Sequence, residues 1–476
     1  MAAAPVKPLV AIVGTTGTGK SDLAVEIARR FNGEILNGDA MQLYQGLPII
    51  TNKITQDEMK GIPHHLLGCI GLEEGTWTVG RFVNKALGVI DEIRSRGKLP
   101  ILVGGTHYYT QSLLFKDTLP DEALPSTNED GRRQFPILDE PTGVILEKLK
   151  EVDPVMADRW HPNERRKIQR SLEIYLKTGK PASQIYDEQR LKRELSPSAP
   201  NSDPKGERTN DAGLRSPTLV LWVHASKEVL YPRLDSRVDK MLDRGLLAEV
   251  ETLTNFRTSC EAQTGQTVDQ SRGIWVSIGY KEFLDYQTAL TGRSASRLDL
   301  ANTKTAAIEK TQAGTRQYAK RQVRWIQIKL LNALINVGHG NNIFLLDGTD
   351  LSKWESQVIQ PANDITNRFL LGQPLPDAAE LSRTAREMLT PKRDYDLAQR
   401  PDLWQKRVCE ACGTVAVTEN DWNLHIKSRA HRRAVGAKKK QDNVKASSRP
   451  VKAPREDLVD VLESYMENFP DDERMS

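Results

Sequence analysis

LVAIVGTTGTGKS, residues 9–21, sets an apolar run of strand length directly before a loop that fits G-x-x-x-x-G-K-[ST]. Its glycines let successive backbone N–H groups curl toward phosphate oxygens, Lys20 adds a positive charge, and Ser21 can hold Mg²⁺ at the start of a helix. Gly14, Thr15, Thr16, Gly17, Thr18, Gly19, Lys20 and Ser21 are therefore the candidate residues for a di- or triphosphate ligand. After the loop, SDLAVEIARRF (21–31) reads as amphipathic helix, EILNGDA (34–40) as a second strand, VGRFVNKALGVIDEIRS (79–95) as helix and LPILVGGT (99–106) as a third strand. Strands apolar on both faces and joined by helices predict an α/β fold, a P-loop parallel sheet covered by helices. TLVLWVHA (218–225) reads as one more buried strand of that sheet.

The 476 residues, 38% hydrophobic and 27% charged, can bury a sizeable core. No apolar run approaches the roughly 20 residues of a membrane-crossing helix, and the first strand begins at Leu9, so neither a span nor a leader is expected. Cytoplasm and nucleus are the expected compartments, with the mitochondrion as a further one, and a monomer is the default. The net charge of +4 is small, but the cations cluster, and clustering is what a phosphate-rich partner responds to. Residues 1–140 and 218–372 read as the P-loop core, 141–190 as a helical insertion and 191–217, rich in Ser, Pro, Asn, Asp and Gly, as a disordered loop. A Pro-punctuated linker over 373–403 leads to a separate module at 404–433, followed by a tail over 434–476 that is basic and then acidic.

Asp39 ends the second strand in DAMQLYQGL, which sets its carboxylate at the carboxyl edge of the sheet, where open α/β folds bind ligands. It suits a Mg²⁺ ligand or a general base. Thr106, after the third strand in VGGTHYY, reaches the same crevice or caps the next helix. Nucleoside triphosphatases and small-molecule kinases are commoner owners of a phosphate loop; in them Asp39 would deprotonate a hydroxyl and ATP would be required. An RNA-binding adaptor that uses the loop as a nucleotide switch is a second alternative.

In the helix expected over 226–256, Leu230, Leu234, Val238 and Met241 share one face. Arg237 lies about 20° from Leu230 around the helix axis and can reach inward, whereas Arg233, Lys240 and Arg244 read as a solvated face. Arg316, Lys320 and Arg324 recur at i, i+4 and i+8 with Arg321 among them, a candidate phosphate track. Cys409, Cys412, His425 and His431 give C-x2-C-x12-H-x5-H, the spacing of a tetrahedral Cys2His2 zinc site. Asp421 is the expected cap of a helix carrying both histidines. Lys406, Arg407, Arg432 and Arg433 make this finger basic, which suits an RNA backbone, with protein docking as the alternative.

GTTGTGKS, DAMQLYQGL, GIPHHLLG, VGGTHYY, HPNERRKIQRSLEIY and TRQYAKRQVRW, in this order over residues 9–330, resemble the blocks of the tRNA dimethylallyltransferase (isopentenyltransferase) family. The C-terminal finger is similar to that of its eukaryotic branch. The resemblance implies transfer of a dimethylallyl group from dimethylallyl diphosphate to the exocyclic amine of the adenosine 3′ of the anticodon, releasing diphosphate. An adenine amine is a poor nucleophile because its lone pair is delocalised, so the chemistry needs a positioned base and a stabilised leaving group. On this reading Asp39 is the base, Thr106 bonds the oxygen bridging carbon and phosphorus, and Arg237 matches an arginine that contacts the diphosphate. Gln42 has the amide needed to read an adenine edge, once the base has been turned out of its stack. Expected contacts to the tRNA anticodon stem-loop are Asp39, Ala40, Met41 and Gln42; Arg166, Lys167 and Arg170; Ser277, Gly279, Tyr280 and Lys281 of VSIGYK; and Arg316, Lys320 and Arg321. Ala40 stands where the family more usually has Ser, which removes a hydroxyl.

Overall fold

The computed structural model describes residues 4–116, 135–195, 213–291, 296–391 and 404–446. The chain begins with β1 (Leu9–Gly14), α1 (Lys20–Arg30), β2 (Gly33–Asn37), α2 (Gln56–Met59), β3 (His64–His65), α3 (Val79–Ser95), β4 (Leu99–Val103) and α4 (His107–Leu114). Four helices follow, α5 (Thr142–Val152), α6 (Pro154–Arg159), α7 (Arg165–Thr178) and α8 (Ala182–Leu195). Then come β5 (Thr218–His224), α9 (Lys227–Asp243), α10 (Leu246–Thr264), α11 (Leu284–Thr291), α12 (Arg297–Trp325), α13 (Leu331–Asn336), β6 (Ile343–Asp347), α14 (Gln360–Leu370) and α15 (Arg383–Leu389). The last elements are β7 (Trp404–Val408), β8 (Val415–Thr418), α16 (Glu419–Lys427) and α17 (Arg429–Ala446). Among the described residues no helix is long and apolar enough to cross a membrane.

Six parallel strands lie in the order β3-β2-β4-β1-β5-β6, as the βαβαβ pattern predicts. LVAIVG is apolar at every position because both faces of the sheet are covered. Val10 and Ile12 join Ile35, Ile101, Leu221 and Phe344 in a cluster closed by Leu23 and Ile27 of α1 and Ile365 of α14. Ala11 and Val13 join Leu36, Leu102 and Trp222 in a second cluster with Phe82 of α3, Leu113 of α4 and Leu330. The helices that follow the neighbouring strands β1 and β4 thus pack on opposite faces, and the loops leading to them diverge. The crevice so opened at the carboxyl ends of β1 and β4 is where such sheets bind ligands.

The chain forms two compact units, one from Met1–Glu122 and Ser196–Asp394, the other from Ala123–Leu195 and Tyr395–Ser476. Residues 378–389, expected in a linker, belong to the first. Ser382 caps α15 by accepting from the Ala385 amide at 2.9 Å, Ala385 is buried, and Thr384 donates to Asp347 at the end of β6 at 2.9 Å. Seven residues are too few to stand out as a helix between prolines.

In the second unit the helical insertion has its own core, built from Ile145, Leu149, Met156, Ile168 and Leu172. The 404–446 module packs on it and is not a separate body. Lys406 Nζ donates to the Ala157 carbonyl at 3.1 Å, and the Arg159 guanidinium lies 4.4 Å from the ring centroids of both Trp160 and Trp404. A cation held between two indoles leaves no periodic trace in sequence. The disordered-loop expectation for 191–217 falls, over 196–212, outside the described residues, as do 392–403 of the linker and the tail beyond 446.

Candidate active site and zinc-ligand cluster

The phosphate loop joins β1 to α1, with Gly17 at φ 81° and Gly19 at φ 84°, in the left-handed region that glycine adopts without strain. Trp354 lies against it, since a Cβ on Gly19 would come within 2.5 Å of the indole. Lys20 Nζ donates to the Thr15 carbonyl at 2.6 Å, and Arg237 Nη1 reaches from α9 to Thr16 Oγ1 at 2.8 Å, so the arginine does turn inward. Asp39 is fixed from several sides. Asn37 Oδ1 accepts from its amide at 2.9 Å, and Asp39 Oδ1 accepts from the Met41 amide at 3.0 Å. Thr106 stands at the start of α4 but does not cap it; its hydroxyl accepts from the Ala40 amide at 3.0 Å instead, tying the β4 loop to the β2 loop.

These groups share one electrostatic environment. Burial pushes the Asp39 carboxyl above the usual range, opposed by the Met41 N–H and the Lys20 charge. Burial pushes the Lys20 ammonium down to about 8, with Asp39 opposing. Burial also lowers Arg237, again with Asp39 holding it charged. Two cations and one carboxylate thus meet in a site whose desolvation strengthens each attraction. His107 is buried with neither ring nitrogen bonded, and burial brings it down to about 3, so it is neutral.

Two residues of the TRQYAKRQVRW block to which the sequence reading gives no role complete the crevice. Tyr318 donates to the Gly105 carbonyl at 3.3 Å, and Gln322 donates to the same carbonyl at 2.9 Å. Gly105 has to be glycine, because a Cβ there would lie 2.6 Å from Gln322 Nε2 and 3.1 Å from Asp39 Oδ2. The signal available in sequence was the inner face of α12, where Ala307, Thr311, Thr315, Ala319 and Gln322 are buried at helical spacing.

The expected RNA contacts separate into exposed and inward-facing groups. Gln42 lines a cleft with Ser21, Asn37 and His64, and its Nε2 donates to the Asn52 carbonyl at 3.0 Å. Met41 Sδ receives the Ser277 hydroxyl at 3.2 Å, and the Gly279 amide donates to Glu282 at 2.8 Å. Tyr280 corrects one expectation: it is fully buried, with its ring centroid 5.5 Å from that of Trp275, so its side chain belongs to the core. Lys281 beside it is exposed. Arg316 is half-buried and paired with Asp235 of α9 at 2.5 Å, while Lys320, Arg321 and Arg324 are exposed. In the second unit Arg166 and Lys167 are exposed at the start of α7, Lys167 pairs with Glu164, and Arg170 pairs with Glu173 at 2.7 Å.

Cys409, Cys412, His425 and His431 bring their ligand atoms within 4.8 Å of one another. Cys409 Sγ lies 3.5 Å from His431 Nδ1, Cys412 Sγ 3.4 Å from His425 Nε2, and the two ring nitrogens are 3.1 Å apart. A tetrahedron with bonds of about 2.3 Å to sulfur and 2.0 Å to nitrogen has S···N edges of about 3.5 Å and N···N edges of about 3.3 Å, so the donor set fits zinc. The helix cap differs from expectation. Thr418 accepts from the Asp421 amide at 3.1 Å, and the two histidines lie on different helices because Ser428 starts α17, accepting from the His431 amide at 3.1 Å.

The fold and crevice define a phosphate-loop α/β protein with a half-buried carboxylate and two cations at the carboxyl edge of its sheet. A sequence profile described as IPP transferase matches residues 42–329. A tRNA dimethylallyltransferase of Schizosaccharomyces pombe is 38% identical over 452 residues, covering 91% of this chain and 96% of its own length. The tRNA dimethylallyltransferase of Homo sapiens is 34% identical over 444 residues, covering 92% and 87%. A crystal structure of a eukaryotic dimethylallyltransferase acting on tRNA matches with a TM-score of 0.72 at 35% identity, over 93% of this chain and 100% of that one. The chain belongs to the IPP transferase family.

Proposed function

We infer that the protein is a tRNA dimethylallyltransferase: it moves the dimethylallyl group from dimethylallyl diphosphate to the exocyclic amine of the adenosine 3′ of the anticodon. The observation that supports it is the meeting of Asp39, Thr106, Lys20 and Arg237 around one crevice at the end of β1 and β4. As the N–C bond forms, the C–O bond of the donor breaks and its electron pair passes to the bridging oxygen. Asp39 accepts the proton that the amine loses, for which its raised pKa suits it. The Thr106 hydroxyl donates to the bridging oxygen. Loop amides, Lys20 and Arg237 stabilise the charge that builds on the diphosphate.

When bound, Mg²⁺ would neutralise part of the diphosphate charge. Ser21 would be one ligand, with diphosphate oxygens and water making up the rest, as this ion commonly requires. Cys409, Cys412, His425 and His431 would hold a structural Zn²⁺ and thereby fix the finger fold. The anticodon stem-loop is read by Gln42 at the adenine edge, and its backbone by Arg166, Lys167, Arg170, Lys281, Lys320 and Arg321. The protein acts as a monomer in cytoplasm and nucleus.

The test is incubation of the purified protein and Mg²⁺ with an unmodified anticodon stem-loop and either dimethylallyl diphosphate or ATP, following RNA mass. A gain of one C5H8 unit with the prenyl donor is expected. ATP turnover without that gain would overturn the reading in favour of a nucleoside triphosphatase.

A further inference from the structure

Gln322 is buried in α12, at 3% exposure, and bonds to both sides of the crevice at once. Its Oε1 accepts from the Thr16 backbone amide at 2.8 Å, and its Nε2 donates to the Gly105 carbonyl at 2.9 Å. The first partner belongs to the phosphate loop, and the hydroxyl of that same Thr16 receives Arg237. The second immediately precedes Thr106. A neutral side chain that must accept from an N–H and donate to a C=O at fixed separation is met by a carboxamide; Glu lacks the donor and Lys the acceptor. The site is also shaped for it, since Gly105 leaves the space that a Cβ would fill.

We propose that Gln322 is a positioning residue for the transfer step: it sets the spacing between the phosphate loop and Thr106 so that the Thr106 hydroxyl meets the donor's bridging oxygen. The proposal rests on the reading of this crevice as the diphosphate site. The anion-holding groups and Thr106 lie on separate loops that follow β1 and β4, and those loops diverge to opposite faces of the sheet. A small change in their separation leaves the diphosphate held by the loop, Lys20 and Arg237 while taking Thr106 out of reach. Misplacement of a reacting group by about 1 Å costs on the order of a hundredfold in rate, so the effect falls on kcat more than on donor binding.

The experiment is a double-mutant cycle between Gln322→Leu and Thr106→Ala in the full-length protein, with Gln322→Met as an unbranched, uncharged variant of similar length that also lacks both hydrogen bonds. Three quantities are read: kcat and KM for dimethylallyl diphosphate with an anticodon stem-loop, the Kd of inorganic pyrophosphate, and the melting temperature. Gln322→Leu should lower kcat about a hundredfold, change pyrophosphate Kd and donor KM less than about threefold, and have little further effect once Thr106 is Ala. Gln322→Met should show the same pattern, which keeps the test open if the Leu variant fails to fold. Additive losses in the double variant, an unchanged kcat in both single Gln322 variants, or a fall in pyrophosphate affinity parallel to kcat would each overturn the proposal. Absence of pyrophosphate binding by the unaltered protein would instead sink the reading of the crevice itself.

Discussion

Lys20→Met and Lys20→Arg offer a direct probe of how the crevice handles charge. Lys20 is half-buried beside Asp39, and desolvation brings its ammonium down to about 8. It is cationic below that value and neutral above it, so the free enzyme loses a phosphate-binding charge as pH rises through about 8. The bound diphosphate stabilises the ammonium, so the loss appears in kcat/KM for the donor and much less in kcat. Removing a charge-assisted hydrogen bond costs roughly 1.5–3 kcal/mol, which corresponds to about 10- to 150-fold in kcat/KM for Lys20→Met. The acid side moves as well. Asp39 loses the cation that opposes its desolvation, so its pKa rises further and the acid limb shifts to higher pH. In Lys20→Arg the cation persists to high pH, and the alkaline limb should vanish. Steady-state rates from pH 5 to 10, with RNA held saturating, give all three readings. An alkaline limb that survives in Lys20→Arg, or an acid limb that stays put in Lys20→Met, would refute the coupling.

Gly19→Ala forces a Cβ into a φ of 84° and to 2.5 Å from the Trp354 ring. The backbone strain costs about 1–2 kcal/mol, and a several-fold rise in donor KM is expected, relieved in part by Trp354→Leu. Chelation of zinc should melt α16 and α17, seen as lost helical circular dichroism, and weaken stem-loop binding while sparing pyrophosphate binding; intact RNA affinity in the stripped protein would argue against the finger as an RNA contact. Lys320→Ala and Arg321→Ala should each lower the salt dependence of RNA binding by about 0.7 in log–log slope if one backbone charge is lost. Arg316→Ala, which breaks the pair with Asp235, should leave that slope unchanged.

The sheet was legible because LVAIVG, LPILV and TLVLWV are apolar throughout, a pattern that demands cover on both faces. Asp39 and Thr106 could be assigned to one crevice because residues just past the ends of parallel strands share an edge. The inward turn of Arg237 followed from its angle to Leu230, and the cluster of Cys409, Cys412, His425 and His431 from spacing alone. What escaped sequence reading depended on distant partners. Gln322 gains its meaning from Thr16, 306 residues away in sequence. Arg316 looked like part of an exposed stripe, but Asp235 on a neighbouring helix neutralises it. Tyr280 lay in a polar-looking VSIGYK, and only the packing against Trp275 reveals it as core. Docking of the finger on the insertion likewise turns on Arg159, whose two indole partners, Trp160 and Trp404, come from opposite sides of the intervening core sequence.

In the proposed reaction the Asp39 carboxylate takes the proton from the adenine amine. Single-turnover transfer by Asp39→Asn, with donor, Mg²⁺ and anticodon stem-loop all saturating and RNA mass as the readout, isolates that proton transfer from binding. Asn keeps the shape and can accept from the Met41 amide but is no base, so RNA and pyrophosphate binding should stay near those of the unaltered protein while the C5H8 gain falls by at least about a hundredfold. Transfer within a few-fold of the unaltered rate, with binding intact, would contradict it.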